Sequence, residues 1–384
     1  MVDPGGTQAS SKFPADPVEL FFDLAFVFAF SQLVKLLLGA PTWATVGQAT
    51  LLFLMLWLPW TQFTWSANAV PSRSRTVRVL FLIATVASVP MAAAVPSAFD
   101  ESGPLFAIPL AAISLMGVAL MVIGLPAEAR AYRSVLKYSA PTLVAMTLFV
   151  VGGFLTDAAR DVAWILGVLV MKPTIRAGGQ DWVIRPYHFA ERHAMIIIVA
   201  LGEVIVAIGN AVVDPRDQGG GFPTLTVLEL CAAGAFAALL WWAYFDRLQP
   251  AFEHRAEETT PTTRWKFARD VYTYAHAPIV AGVIFVAVAL EVMALNPADP
   301  LPTAYRTMGA VGIVLYFGGM GYAAHRSNGI ITYERFIAVA LIVALFFIGS
   351  TISGVVLLVA IDLILLTALF LEHRRLDPTP TGAP

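Results

Sequence analysis

Apolar stretches long enough to cross a hydrocarbon core of ~30 Å recur from one end of this chain to the other, and that constrains the fold more than any motif does. They add up to a chain of 384 residues that is 58% hydrophobic and only 13% charged, with a mean hydropathy of +0.74. A soluble chain of this length needs far more polar surface to cover itself. The expected fold class is therefore all-α: a polytopic helical bundle integral to a membrane.

About twelve spans are expected. The first half holds residues 18–38, 43–66, 76–95, 104–124, 134–154 and 158–172, and the second 190–213, 224–246, 266–294, 303–324, 333–349 and 350–371. Residues 1–15 and 372–384 read as polar tails, and 247–265 as the largest loop. With this count, alternate loops and both termini gather the basic residues on one side. Only Lys35, Arg160, Arg216 and Arg306 of the 24 Lys and Arg fall on the other. That asymmetry places both termini in the cytoplasm. The nine tryptophans lie toward span ends, where interfacial anchoring accounts for most of them.

A repeat is suggested by laying "ERHAMIIIVALGEVIVAIGN" on "ELFFDLAFVFAFSQLVKLLL", with Glu191 over Glu19 and, one span later, Trp241 over Trp57. Six spans separate the copies, so the halves 16–172 and 173–371 would share orientation as a parallel 6+6 duplication. That is a common transporter plan with its path between the halves.

The residues that demand explanation are ionisable groups inside apolar runs, each of which costs ~2.5–3.5 kcal/mol on insertion scales and so marks protein-facing or wet positions. Asp16, Pro17 and Glu19 have the form of a capping box at the start of the first helix. Asp23 lies a turn deeper, beyond use to the cap, as a path residue or the partner of a basic side chain. Glu203 sits mid-span in "VALGEVIVAIG" with no cation within a turn, a candidate proton carrier or a protonated link between helices. Gly202 and Gly209 beside it suggest close helix approach. Gln32 and His276 are candidate path-lining groups. His276 precedes Pro278, whose missing N–H frees a carbonyl that the imidazole could satisfy. Glu191 and His193 stand at the mouth of the seventh span on different helix faces, which is no metal spacing. Asp246, next to Arg247, suits an interfacial ion pair, and Asp362 is a secondary candidate in "LLVAIDLILL".

Absences matter as well: there is no phosphate-binding loop, dinucleotide fingerprint, H-E-x-x-H or G-x-S-x-G. No cofactor, metal or nucleic acid is expected, and the expected partners are membrane lipids and a small ion or solute.

The segments "PVELFFDLAFVFAFSQL" at 17–33, "HFAERHAMIIIVALGEVIVAIG" at 188–209, "LLWWAYFD" at 239–246 and "YAHAPIVAGVIFVAVALE" at 274–291 resemble the bacterial low temperature requirement A (LtrA) family. The resemblance implies a multi-pass protein of the bacterial inner membrane, and it implies fold and location without chemistry. One departure concerns the loop after the second span, where the family tends to carry acidic residues and this chain reads "SANAVPSRSRTVRV". A cation-binding role for that loop is not expected here.

The leading expectation is a secondary transporter or an ion- or proton-conducting protein rather than an enzyme. In it Asp23 and Glu203 carry or coordinate the ion. The rival is a non-transporting membrane-adaptation factor or scaffold, whose polar residues only hold helices together. An intramembrane enzyme would need a convergent acid/base pair, for which Glu191 with His193 is the nearest candidate.

Overall fold

The computed structural model describes residues 16–68, 70, 74–124, 129–177, 185–212, 223–327 and 332–376. Side chains at 129–135, 172–177, 210–212 and 261–262 lie outside the description. So do the tail at 1–15 and most of that at 372–384. Fourteen α-helices make up the described chain: α1 Pro17–Gly39, α2 Trp43–Asn68, α3 Arg75–Ala94, α4 Gly103–Gly124, α5 Ala129–Phe154, α6 Asp157–Ala177 and α7 Pro186–Val212. They continue as α8 Thr224–Phe245, α9 Leu248–Glu258, α10 Pro261–Ala268, α11 His276–Leu295, α12 Thr303–Ser327, α13 Tyr333–Ile348 and α14 Gly354–Leu376. Ten stretches among the described residues are helical, long and apolar enough to cross a membrane. The other two expected spans are helices, α6 and α13, outside that set. At 16 residues α13 is only about 24 Å long. In α6 the apolar run is confined between Asp161 and Lys172.

The segment 247–265 is not a loop. It folds into α9 and the start of α10, and Phe252 and Ala256 of α9 are buried against the bundle. A π-helical turn, Arg269–Ala275, then joins α10 to α11. The helix of α14 continues past residue 371, where a tail was expected, and Glu372 is buried.

Helix α1 starts where Asp16 accepts a hydrogen bond from the Val18 N–H at 3.2 Å, with Pro17 in the first turn. The other half of the expected capping box is absent, because the Glu19 carboxylate turns into the bundle. From there α1 packs on α2, α3, α7 and α11. Trp57, Trp60 and Trp164 are fully buried rather than interfacial. Trp241 is 48% exposed where Trp57 is 2%, so the two tryptophans paired by the repeat occupy different environments.

Close approach of helices occurs elsewhere than Gly202 and Gly209, where an added Cβ would meet nothing within 4 Å. It occurs between α11 and α12. A Cβ on Gly282 would lie 2.6 Å from both the Gly312 carbonyl oxygen and the Tyr316 nitrogen. Glycine there lets two backbones touch, which is how helices gain packing where lipid offers no hydrophobic drive.

Candidate functional site

Helices α1, α7 and α11 pack on one another, and their charged residues gather in two groups, one toward each end of the shared seam. At the end where α1 begins, Arg192 of α7 is fully buried. Its Nε donates to Asp23 Oδ2 at 2.9 Å and its Nη2 to Asp23 Oδ1 at 2.5 Å. Its Nη1 donates to Glu19 Oε2 at 3.1 Å. Glu19 Oε2 also meets His188 Nε2 at 2.8 Å, and the Trp60 indole donates to Asp23 Oδ1 at 2.8 Å. Glu19, Asp23, His188 and Arg192 are all at most 4% exposed.

This arrangement follows from where the helices bring their side chains. Glu19 and Asp23 are four residues apart and share a face of α1, as do His188 and Arg192 on α7. A fork of guanidinium donors fits two carboxylates at that spacing, which a lysine could not do. Two acids face one permanent cation, Arg192, and the His188 imidazole lies against Glu19. Glu19 Oε1 and His188 Nδ1 are buried with no hydrogen-bond partner.

Behind the ion pairs lies a layer of aromatic and imidazole groups. His193 Nδ1 pairs with the Phe189 carbonyl at 2.8 Å, its ring lies 5.2 Å from those of Trp60 and His276, and its Nε2 is unpartnered. His276 Nδ1 meets the Val271 carbonyl at 2.9 Å and its Nε2 meets the Tyr244 hydroxyl at 2.7 Å. The imidazole thus donates from Nδ1 and accepts from tyrosine. The carbonyl it satisfies is that of Val271 in the π turn, not the one near Tyr274 that the missing N–H of Pro278 was expected to free. Trp57 donates to another carbonyl of that turn, that of Thr273, at 3.2 Å.

At the opposite end, about 16 Å further along α7 at 1.5 Å per residue, Glu203 lies beside Ser31 and within electrostatic range of Lys35. Glu291 of α11 faces the same lysine and Glu203. Glu203 is thus not without a cation: Lys35 comes from α1, a neighbour that sequence spacing on α7 cannot show. Gln32 donates to the Ser31 hydroxyl at 3.1 Å and belongs to this second group.

Asp23 and Glu203 therefore do not converge on a common cavity. Asp23 is sealed by Arg192 and Trp60, as the reading of it as the partner of a basic side chain expects. Two largely apolar clefts, of about 480 and 240 Å³, open elsewhere between helices, and neither is lined by these charged groups. Glu191 is half-buried, while the adjacent His193 lies within the aromatic layer. Asp246 lies at the end of α8 with its side chain 40% exposed, 3.5 Å from Arg247, outside the seam.

A model of the bacterial low temperature requirement A protein family matches residues 14–370, nearly the whole chain. The chain belongs to the LtrA family. It is also 30% identical over 375 residues to the uncharacterized protein RA0937 of Rhizobium meliloti (strain 1021), an alignment covering 92% of this chain and 88% of that one. No solved structure matches it. Sequence reasoning on the LtrA chain missed Arg192, the centre of the Glu19–Asp23 cluster, although it stands between Glu191 and His193 in "ERHA". It also passed over Glu291, the single acid in the α11 run "VIFVAVALEVMAL". Both carry the same signal, a charge at least one turn inside an apolar helix.

Proposed function

We propose that this LtrA protein is a secondary transporter or an ion- or proton-conducting protein of the bacterial inner membrane. In this reading it has twelve spans, α6 and α13 included, as two six-helix halves, 16–172 and 173–371, with both termini cytoplasmic. The α1/α7/α11 seam is the path. The observation that carries the reading is the placement of charge at both ends of one three-helix interface. Intramembrane ionisable groups are costly and ordinarily mark an ion route or a relay. The Glu19–Arg192–Asp23–His188 cluster acts as the closed inner gate, and Glu203 with Glu291 forms the outer ion-binding pair, balanced by Lys35. His193 and His276 line the stretch between, and no chemical conversion of the solute is needed.

Flux into proteoliposomes tests this. Wild-type protein should move protons or an alkali cation down an imposed gradient, and Glu203→Gln and Glu291→Gln should each cut that flux at least tenfold while remaining folded. Absence of any such flux in the wild type sinks the reading. The rival, a static scaffold or membrane-adaptation factor, draws on one observation: the bidentate Asp23–Arg192 pair is what a fixed strut between α1 and α7 looks like. It predicts that Glu203→Gln lowers stability and that no ion moves.

A further inference from the structure

Outside the α1/α7/α11 seam, α8 and α14 pack against each other and carry two more acids. Glu229 of α8 is 0% exposed, and neither of its carboxylate oxygens has a hydrogen-bond partner. Asp362 of α14 is close enough for the Glu229 charge to act on it, and its Oδ1 is buried and unpartnered too. The two stand at similar depth, about 8 Å into α8 and about 12 Å into α14 at 1.5 Å per residue. Asp362 is thus not alone in "LLVAIDLILL".

The neighbouring charges are committed elsewhere. Helix α8 has no lysine, arginine or histidine, and the bases of α14, His373, Arg374 and Arg375, lie at its far end. On α13, Arg335 is held by Glu372 and Glu334 by Arg375. On α7 and α11, Arg192 is held by Glu19 and Asp23, Glu203 and Glu291 share Lys35, and His276 bonds Tyr244. On α9, His254 and Arg255 pair with Glu258. Among the described residues no cation is left to offset two ionised carboxylates between α8 and α14. Among the described residues no three ligating side chains converge, so the pair is too small for a metal ion held by protein alone. One proton suffices, because it removes the like-charge repulsion between the two acids.

The geometry points to Glu229 and Asp362 as a proton-binding carboxyl pair on the α8/α14 interface, holding at least one exchangeable proton. The pair is separate from the seam, and its test does not depend on flux.

Dicyclohexylcarbodiimide reads it directly in the full-length protein in nanodiscs. The reagent reacts with a protonated carboxyl in an apolar setting. The acid proton goes to a carbodiimide nitrogen, the carboxyl oxygen bonds the central carbon, and an acyl shift to nitrogen leaves a stable adduct that peptide mass spectrometry locates. Glu229 should be labelled at neutral pH and progressively less as pH rises. Asp362→Asn should slow that labelling at least fivefold at pH 8, since no neighbouring charge then retains the proton. Absence of a Glu229 adduct overturns the site, and labelling indifferent to Asp362→Asn overturns the pairing. If Asp362→Asn does not fold, infrared spectra of the unmodified protein decide. A protonated-carboxyl C=O band that is lost at high pH and missing from Glu229→Gln upholds the pair, and a spectrum without that band refutes it.

Discussion

Removing the Arg192 side chain charge is the sharpest perturbation the structure offers. In Arg192→Met the apolar stem is roughly conserved while three charge-assisted hydrogen bonds disappear, those to Asp23 at 2.9 and 2.5 Å and to Glu19 at 3.1 Å. Both acids are at most 1% exposed, so water cannot replace the guanidinium. Breaking a buried pair by removing one partner costs about 3–5 kcal/mol, because the other charge is left uncompensated. Here two carboxylates are stranded with only His188 and Trp60 to meet them, which places the expected loss at the top of that range. Neutralising all three groups together, in Glu19→Gln/Asp23→Asn/Arg192→Met, should recover most of the loss, because no ion is then left without its partner. The assay is denaturant titration in detergent micelles, followed by tryptophan fluorescence and size exclusion. A single-variant loss below about 1 kcal/mol, the surface-pair range, would show that the cluster is hydrated, against the closed gate proposed for it. A triple variant no more stable than the single one would refute the electrostatic account.

Other outcomes follow from the same geometry. Gly282→Val forces α11 and α12 apart at their backbone contact and should cost more than the about 1–3 kcal/mol typical of overpacking, read as a loss of monodisperse protein after mild heating. Trp60→Phe keeps an aromatic side chain but loses part of the buried indole and its hydrogen bond to Asp23, with an expected loss of at least about 1–3 kcal/mol in the same titration. Arg335→Ala leaves Glu372 buried and the Ala243 carbonyl without its donor at 2.8 Å. About 3–5 kcal/mol should be lost, whereas Asp246→Asn, at an exposed pair, should change stability by less than about 1 kcal/mol. Tyr244→Phe strips His276 Nε2 of its partner and should lower melting temperature without abolishing folding, which thermal size exclusion will show.

Sequence by itself determined the solvent and the element type. Apolar runs of membrane-crossing length can bury their backbone polar groups only within themselves, so ten of the expected spans appear as long apolar helices. It also marked several residues that needed partners, Glu19, Asp23, Glu203 and His276 among them, because a charge or imidazole in an apolar helix is visible without coordinates. The short α9 is not legible in the sequence, because its 11 residues are too polar to read as a span and too few to show a helical period clearly. Only the tertiary structure decided who partners whom. Asp23 meets Arg192, 169 positions away, and Glu203 stands within electrostatic range of Lys35 and Glu291. Helical periodicity fixes which face a residue occupies on its own helix. It carries no information about which other helix lies against that face, and in a bundle whose helices are all apolar, side-chain complementarity and close backbone packing make that choice.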